Sequence, residues 1–237
     1  MILSHKIVSV IPARGGSKGI LNKNIIELNG QPLIGYSIVD SLRCKLIEET
    51  YVSTDSEEIK EIAEKYGAEV PFLRPEKYAQ DSSTDIQWVN HFLYWYKSTH
   101  DGNSPEYIVH LRPTTPLREP IIIDEAINKI LNHKEATSLR SVHKLSESPY
   151  KMFALREEYL EGLFPNFPLK EYYNLPRQSF PKVYKPNGYV DILKIEVISH
   201  HQSLHGDRIL AFETPFVIEI DTLEELEYLQ WKMRNAK

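Results

Sequence analysis

Runs of β-branched residues alternate with amphipathic helical stretches along this chain, and no other feature constrains its fold as strongly. Strand-like runs fall at 6–12, 49–53, 69–73, 106–111, 136–142, 188–195, 208–212 and 216–220, with helical stretches near 32–43, 56–66, 84–98, 120–133 and 222–235. Strands separated by helices in this way predict an α/β domain with a mostly parallel sheet. The helix ends carry their own signals. Pro32 suits a first turn, Asp55 with Glu58 and Thr222 with Glu225 read as capping boxes, and Gly67 fits the position just past a helix C-terminus. In the stretch DIQWVNHFLYWYK, Ile86, Val89, Leu93 and Tyr96 recur at helical spacing and are read as core. No internal repeat interrupts the pattern, and 237 residues are enough for one domain (1–237) to bury a full hydrophobic core without a staple.

The alternation lapses between 145 and 186, where aromatic and proline-punctuated pieces (EGLFPNFPLKEYYNLPRQSFPKVYKPNG) replace it. This segment is read as an excursion from the sheet whose aromatic surface suits completion by a second subunit. The alternative is a long ordered loop folded back on its own domain.

Between the first strand and the first helix lies IPARGGSKGILNKN, Ile11 to Asn24. A loop at the carboxyl end of a parallel strand is where open α/β sheets bind ligands. Gly15, Gly16 and Gly19 permit positive φ and close backbone approach, so their amides suit an anion-binding nest. Arg14, Lys18 and Lys23 add formal charge. Phosphate matches this chemistry, yet neither G-x-x-x-x-G-K-[ST] nor G-x-G-x-x-G is present. A mobile surface turn is the bland alternative.

Charge sharpens the point. With 28 basic against 33 acidic residues the net charge is −5, which argues against a general nucleic-acid or membrane surface, so an anionic ligand has to be met locally. No window approaches the ~18 uninterrupted apolar residues of a membrane span. Cys44 is the sole cysteine, excluding an intrachain disulfide, and no signal-peptide run opens the chain, so a cytoplasmic location is expected.

IPARGGSKGILNKN resembles the signature of the acylneuraminate cytidylyltransferases, enzymes that activate sialic and related nonulosonic acids as CMP-sugars. LRPEKYAQDSS from Leu73, LRPTTPLR from Leu111, LPRQSFPKVYKPNGYVDI from Leu175 and IEIDT from Ile218 agree with that family in order and approximate spacing. The resemblance spans almost the whole chain. It implies a three-layer, Rossmann-like nucleotidyltransferase fold and a reaction of CTP with a nine-carbon sugar acid that releases pyrophosphate, assisted by Mg²⁺.

The resemblance also distributes roles. Ala13, Arg14, Gly15, Gly16, Ser17, Lys23 and Asn24 would hold the triphosphate, with Arg14 and Lys23 stabilising charge during transfer. Arg74, with Asp81 and Ser82, would read the cytosine, although Asp81, Ser82, Ser83 and Thr84 also suit capping of the following helix. Arg112, Thr114 and Thr115 would face the sugar acid. Relatives often have Gln at 112, and an arginine fork there suits a carboxylate. Arg118 is open between a site role and a structural one. The 145–186 insertion would form a dimerisation lobe reaching over the partner's site, with Lys151, Arg177 and Gln178 directed to the sugar.

Glu219 and Asp221 fall two apart on a predicted strand, hence on one face, a pattern suited to Mg²⁺. Asp221 also suits the capping sequence of the last helix. Leu21, Arg112, Lys185 and Glu219 depart from the family pattern. They leave two rivals open: a transferase for another sugar (a Kdo-type acid, or one using GTP) and a nucleotide-binding homologue without turnover. HHQSLH, with His200, His201 and His205, lacks accompanying ligands at a zinc spacing and is set aside. Asp55, at a strand end, is assigned to helix capping.

Overall fold

The computed structural model describes residues 5–17 and 19–235, so Lys18 of the glycine loop lies outside the described residues. In chain order the elements are β1 (Ile7–Pro12), β2 (Glu27–Leu28), β3 (Gln31–Pro32), α1 (Leu33–Arg43), β4 (Glu49–Ser53), α2 (Glu57–Lys65), α3 (Asp85–Thr99) and β5 (Tyr107–His110). There follow α4 (Pro120–Leu131), β6 (Ser138–Lys144), β7 (Phe153–Arg156), β8 (Tyr159–Gly162), β9 (Tyr184–Lys194), α5 (Ile195–His201), β10 (Ile209–Glu213) and α6 (Leu223–Asn235).

The main sheet has the order β10-β6-β9-β5-β1-β4. β1 pairs in parallel with β4 and β5, and β10 in parallel with β6, while β9 runs antiparallel to both β5 and β6. The expected mostly parallel α/β sheet is therefore present, with one reversed strand at its centre. β1 shows why it is buried on both faces. Ile7 and Ile11 join a core with α1, α2 and α4, whereas Val8 and Val10 join a second core with α3 and α5. Alternate side chains of a strand point to opposite faces, so a run apolar at nearly every position can lie only between two layers. In α3 the buried stripe is Trp88, Val89, Phe92, Leu93 and Tyr96, so Trp88 and Phe92 supplement the predicted set and Ile86 sits at its margin.

Several local expectations are corrected. Residues 69–73 touch the sheet only through isolated bridges, Tyr51 with Glu69 and Thr54 with Leu73. Residues 216–220 form no strand, and the end of the expected 188–195 strand turns into α5. Ser56 rather than Asp55 caps α2, accepting from the Ile59 amide at 3.4 Å. Thr84 with Gln87 forms the capping box of α3, so Asp81, Ser82 and Ser83 are not its cap. Thr222 and Glu225 do form the expected box at α6. A hydroxyl one residue nearer the helix outcompetes a carboxylate already engaged elsewhere.

The irregular stretch leaves the sheet at one point and returns at the next. Lys144 pairs with Tyr184, and the Leu145 amide donates to the Val183 carbonyl at 3.0 Å. Between them the β7–β8 hairpin packs beside an aromatic cluster in which Tyr150 stacks on both Phe164 and Phe180, with centroids 4.2 and 5.2 Å apart.

Candidate active site

A cleft of about 590 Å³ opens at the carboxyl ends of β1, β4 and β5. Four stretches far apart in sequence line it: the glycine loop, residues 74–88, the turn after β5, and the segment holding Glu219 and Asp221.

The glycine loop is fastened from behind. A Cβ on Gly19 would lie 2.8 Å from the Asp221 carbonyl oxygen, so this position tolerates only glycine. Ile20 and Ile220 share a small core with Leu28, Leu33, Leu226 and Leu229, which docks the loop against α6. The other glycines behave differently from expectation. Among positive-φ residues the loop contributes Asn22 (φ 53°), and neither Gly15 nor Gly16 is left-handed. The Gly15 amide is already taken by Asp55 at 2.9 Å. Ala13 is buried and its amide donates to the Ser53 carbonyl; Ser17 lines the cleft, whereas Ala13, Gly15 and the exposed Gly16 do not.

Both loop cations in the cleft have acidic partners. Lys23 Nζ lies 2.6 Å from Asp221 Oδ1, and an Arg14 guanidinium nitrogen lies 2.7 Å from Asp81 Oδ1. Asn24 is buried and holds the loop's shape by donating to the Arg14 carbonyl at 2.9 Å.

Arg74 enters from the opposite wall. It is buried, donates to the carbonyls of Ser53 and Tyr78, and keeps its Nε without a partner. Burial lowers its pKa to about 10, partly offset by Asp55 and Asp85, so it stays charged at neutral pH. Ser82 is exposed and lies outside the cleft wall.

The third wall contains groups that motif reading missed. Arg112 Nη2 lies 3.1 Å from Asp85 and 3.6 Å from Asp191, and Asp191 also faces Arg140 Nε at 3.3 Å. Burial pushes the Asp85 carboxyl up, but the Arg112 guanidinium nearby, with hydrogen bonds from Trp88 and Arg112, outweighs it and holds the group below the usual carboxylate range. His110 is fully buried beside Trp88, and burial drives its pKa well down, so it is neutral. Asp85 stood in the sequence as an ordinary first-turn acid, and Asp191 fell within the stretch from Leu175 with no role of its own. Only the acid-rich setting of an unusual arginine could have drawn attention to them.

In the turn after β5, Thr114 faces the cleft, its hydroxyl 3.5 Å from Glu219 Oε1. Thr115 is fully buried with an unpartnered hydroxyl and lies behind the wall. The Ile220 amide donates to the Thr114 carbonyl at 2.8 Å, which brings both Glu219 and Asp221 to the cleft without the strand that was expected there. Asp221 also precedes the α6 cap, but its side chain is turned to Lys23.

No cluster of three or more His, Cys, Asp or Glu side chains capable of caging a metal occurs among the described residues. Two carboxylates and a hydroxyl beside this basic loop nevertheless fit Mg²⁺, which commonly takes one or two carboxylates and fills its remaining positions with water and phosphate oxygens.

Lys151, Arg177 and Gln178 lie on the irregular segment, away from this cleft. Arg177 and Gln178 line a separate cavity of about 440 Å³ with Lys144 and Lys182, where the buried Ser148 hydroxyl has no partner. Lys151 points elsewhere and donates to the Leu175 carbonyl at 2.8 Å.

A mostly parallel α/β sheet with a basic loop lining a cleft at the end of its first strand is an arrangement shared by nucleotide-binding α/β enzymes. The cytidylyltransferase family model matches residues 8–161, and the chain belongs to that family. An N-acylneuraminate cytidylyltransferase of Escherichia coli is 33% identical over 207 residues, which cover 87% of this chain and 46% of that protein, so this chain spans about half of it. A pseudaminic acid cytidylyltransferase of Campylobacter jejuni is 29% identical over 225 residues and 94% of each chain. Among solved structures, a CMP:2-keto-3-deoxy-manno-octonic acid synthetase complexed with CTP shares the fold, with a TM-score of 0.73 at 15% identity over 98% of this chain and all of the other.

Proposed function

We propose that this chain transfers CMP from CTP to a nonulosonic, sialic-type acid and releases pyrophosphate. The observation that carries the reading is the convergence of Arg14, Lys23, Asn24, Arg74, Arg112 and Asp221 on one cleft. Family membership and the names of the two relatives support the same chemistry.

In this reading the sugar's anomeric hydroxyl oxygen attacks the α-phosphorus, its proton is lost, and the bond to the bridging oxygen breaks to free pyrophosphate. Such a transfer asks the protein mainly to position reactants and balance charge. Arg14 and Lys23 exchange their carboxylate partners for phosphate oxygens. Arg74, held by backbone carbonyls with Nε unspent, faces the base edge. Arg112 and Thr114 face the acid. Arg112 is already offset by Asp85 and Asp191, so it presents hydrogen-bond donors more than net charge. Asp221 and Glu219 would hold Mg²⁺, which when bound would supply charge neutralisation at the phosphates.

The acid's own carboxylate then needs a cation from elsewhere. Arg177, with Lys144 and Lys182 beside it, is suited to the task if the 145–186 lobe of a second copy reaches over the cleft. We therefore infer a homodimer acting in the cytoplasm. Two facts are compatible with that location: no helix among the described residues is long and apolar enough to cross a membrane, and Cys44 is a buried free thiol.

Pyrophosphate release across the four nucleoside triphosphates, each paired with sialic, legionaminic, pseudaminic and Kdo-type acids, tests the reading. Release with CTP and a nine-carbon acid is expected. Preference for GTP or for the Kdo-type acid favours the first rival, and CTP binding without product favours the second. In the dimer, Arg177→Ala raises the KM for the acid and leaves that for CTP unchanged.

A further inference from the structure

We propose that Arg118 is a positioning residue for the wall of the cleft that carries Arg112 and Thr114; only the assignment of that wall to the sugar acid rests on the transferase reading. The Arg118 guanidinium is buried, and every one of its five N–H groups meets an acceptor. Nε donates to the Tyr189 carbonyl at 2.6 Å. One terminal nitrogen donates to the Ser37 hydroxyl at 3.0 Å and to the Thr115 carbonyl, and the other to the carbonyls of Arg112 at 2.7 Å and Gly188 at 2.9 Å.

These acceptors come from three segments. Arg112 and Thr115 are the two ends of the turn after β5, Gly188 and Tyr189 belong to β9, and Ser37 to α1. The turn lies beyond the last residue of its strand, so no sheet ladder holds it. Gly188 has φ +63°, and a Cβ there would meet Thr115 Oγ1 at 2.9 Å and Arg112 Cδ at 3.2 Å, so the turn and β9 are in contact at this point. No carboxylate is paired with Arg118 in the described ion pairs. A planar fork with donors in fixed directions spans three backbone segments at once, whereas a lysine ammonium, with three donors on one atom, cannot.

The loop bearing Arg14 and Lys23 leaves from β1, and Arg74 is held to β4 residues, so neither is tied through Arg118. The turn reaches that loop only indirectly, through the Thr114 carbonyl that accepts from Ile220 beside Asp221, the partner of Lys23, so releasing the turn displaces its own wall most.

Arg118→Lys tests this. The expected result is a rise of at least ~tenfold in the KM for the acid, in line with the sensitivity of transfer to small misplacements. CTP affinity, measured by calorimetry without metal, stays within about twofold. Hydrogen exchange quickens at the amides of 114, 115 and 188–190 and is unchanged at 13–17. Equal losses for both substrates, or an exchange increase spread over the chain, overturns the proposal in favour of a general folding role. Should Arg118→Lys not fold, Ser37→Ala removes one acceptor of Arg118 together with the serine's own 3.3 Å bond to the Arg112 carbonyl and is expected to give the same pattern at smaller size; an unchanged exchange pattern there overturns the proposal too. If the unmodified protein shows no turnover with any acid, the transferase reading fails by itself, and the exchange pattern still decides the role of Arg118.

Discussion

The ammonium of Lys23 lies 2.6 Å from the carboxylate of Asp221, joining groups 198 residues apart in sequence. In the proposed transferase, phosphate and Asp221 would compete for the one, and a divalent cation and Lys23 for the other. Binding of nucleotide and of metal would then be coupled, because each would free the partner the other needs.

Asp221→Asn separates the two effects. Without metal it releases Lys23, so CTP is expected to bind more tightly in EDTA than it does to the unmodified protein. With Mg²⁺ the gain reverses and turnover falls. Calorimetry with and without Mg²⁺ reads both signs, and weaker metal-free binding would show that Asp221 does not restrain Lys23.

Arg14→Ala and Lys23→Ala each remove a cation that the proposed reaction directs at developing phosphate charge. Turnover with saturating CTP is expected to drop by at least about a hundredfold. Pyrophosphate release checks this, and near-normal rates in both variants remove the assignment of this loop to the triphosphate.

Arg74 is buried with one donor unspent. Lysine cannot reproduce its fork, so Arg74→Lys is expected to lower CTP affinity by about tenfold and to narrow the preference over UTP. Competition binding of CTP and UTP provides the measurement, and an unchanged ratio places base reading elsewhere.

Asp40 gives a pH signature. Burial raises its pKa to about 6, with Arg118 and Arg43 opposing the rise. The folded state thus holds this proton more tightly than the unfolded chain does. Stability from this group is fully present below about pH 4 and declines as pH rises to about 6. Asp40→Asn is expected to melt at a higher temperature than the unmodified protein at pH 8, with the difference closing at pH 4. Thermal melts across that range test it, and a constant difference counts against Asp40 as its source.

Much of the architecture was legible because it is periodic. The alternation at β1 and the helical spacing in α3 each encode a burial pattern, and short-range sterics and hydrogen bonding decide such elements locally. The glycine loop was legible by position, since the end of a first parallel strand faces the ligand edge whatever the remaining chain does. Its charged residues and the acids of IEIDT could be named as a set. Local reading failed where two nearby residues competed for one job, as Ser56 and Asp55 did at α2. It failed too at 216–220, where strand-like composition found no neighbouring edge to pair with.

The sequence alone determined the α/β class, the order of the main helices and most strands of the large sheet, and the kinds of side chain that meet at the carboxyl ends of β1, β4 and β5. The folded molecule alone decided the partnerships: Lys23 with Asp221, Arg112 between Asp85 and Asp191, and Arg118 with five acceptors from three segments. Side-chain type is inherited residue by residue, but an ion pair or a buried hydrogen bond needs atoms within about 3 Å. Which distant residues come that close depends on how layers pack, and no local pattern along the chain carries that information.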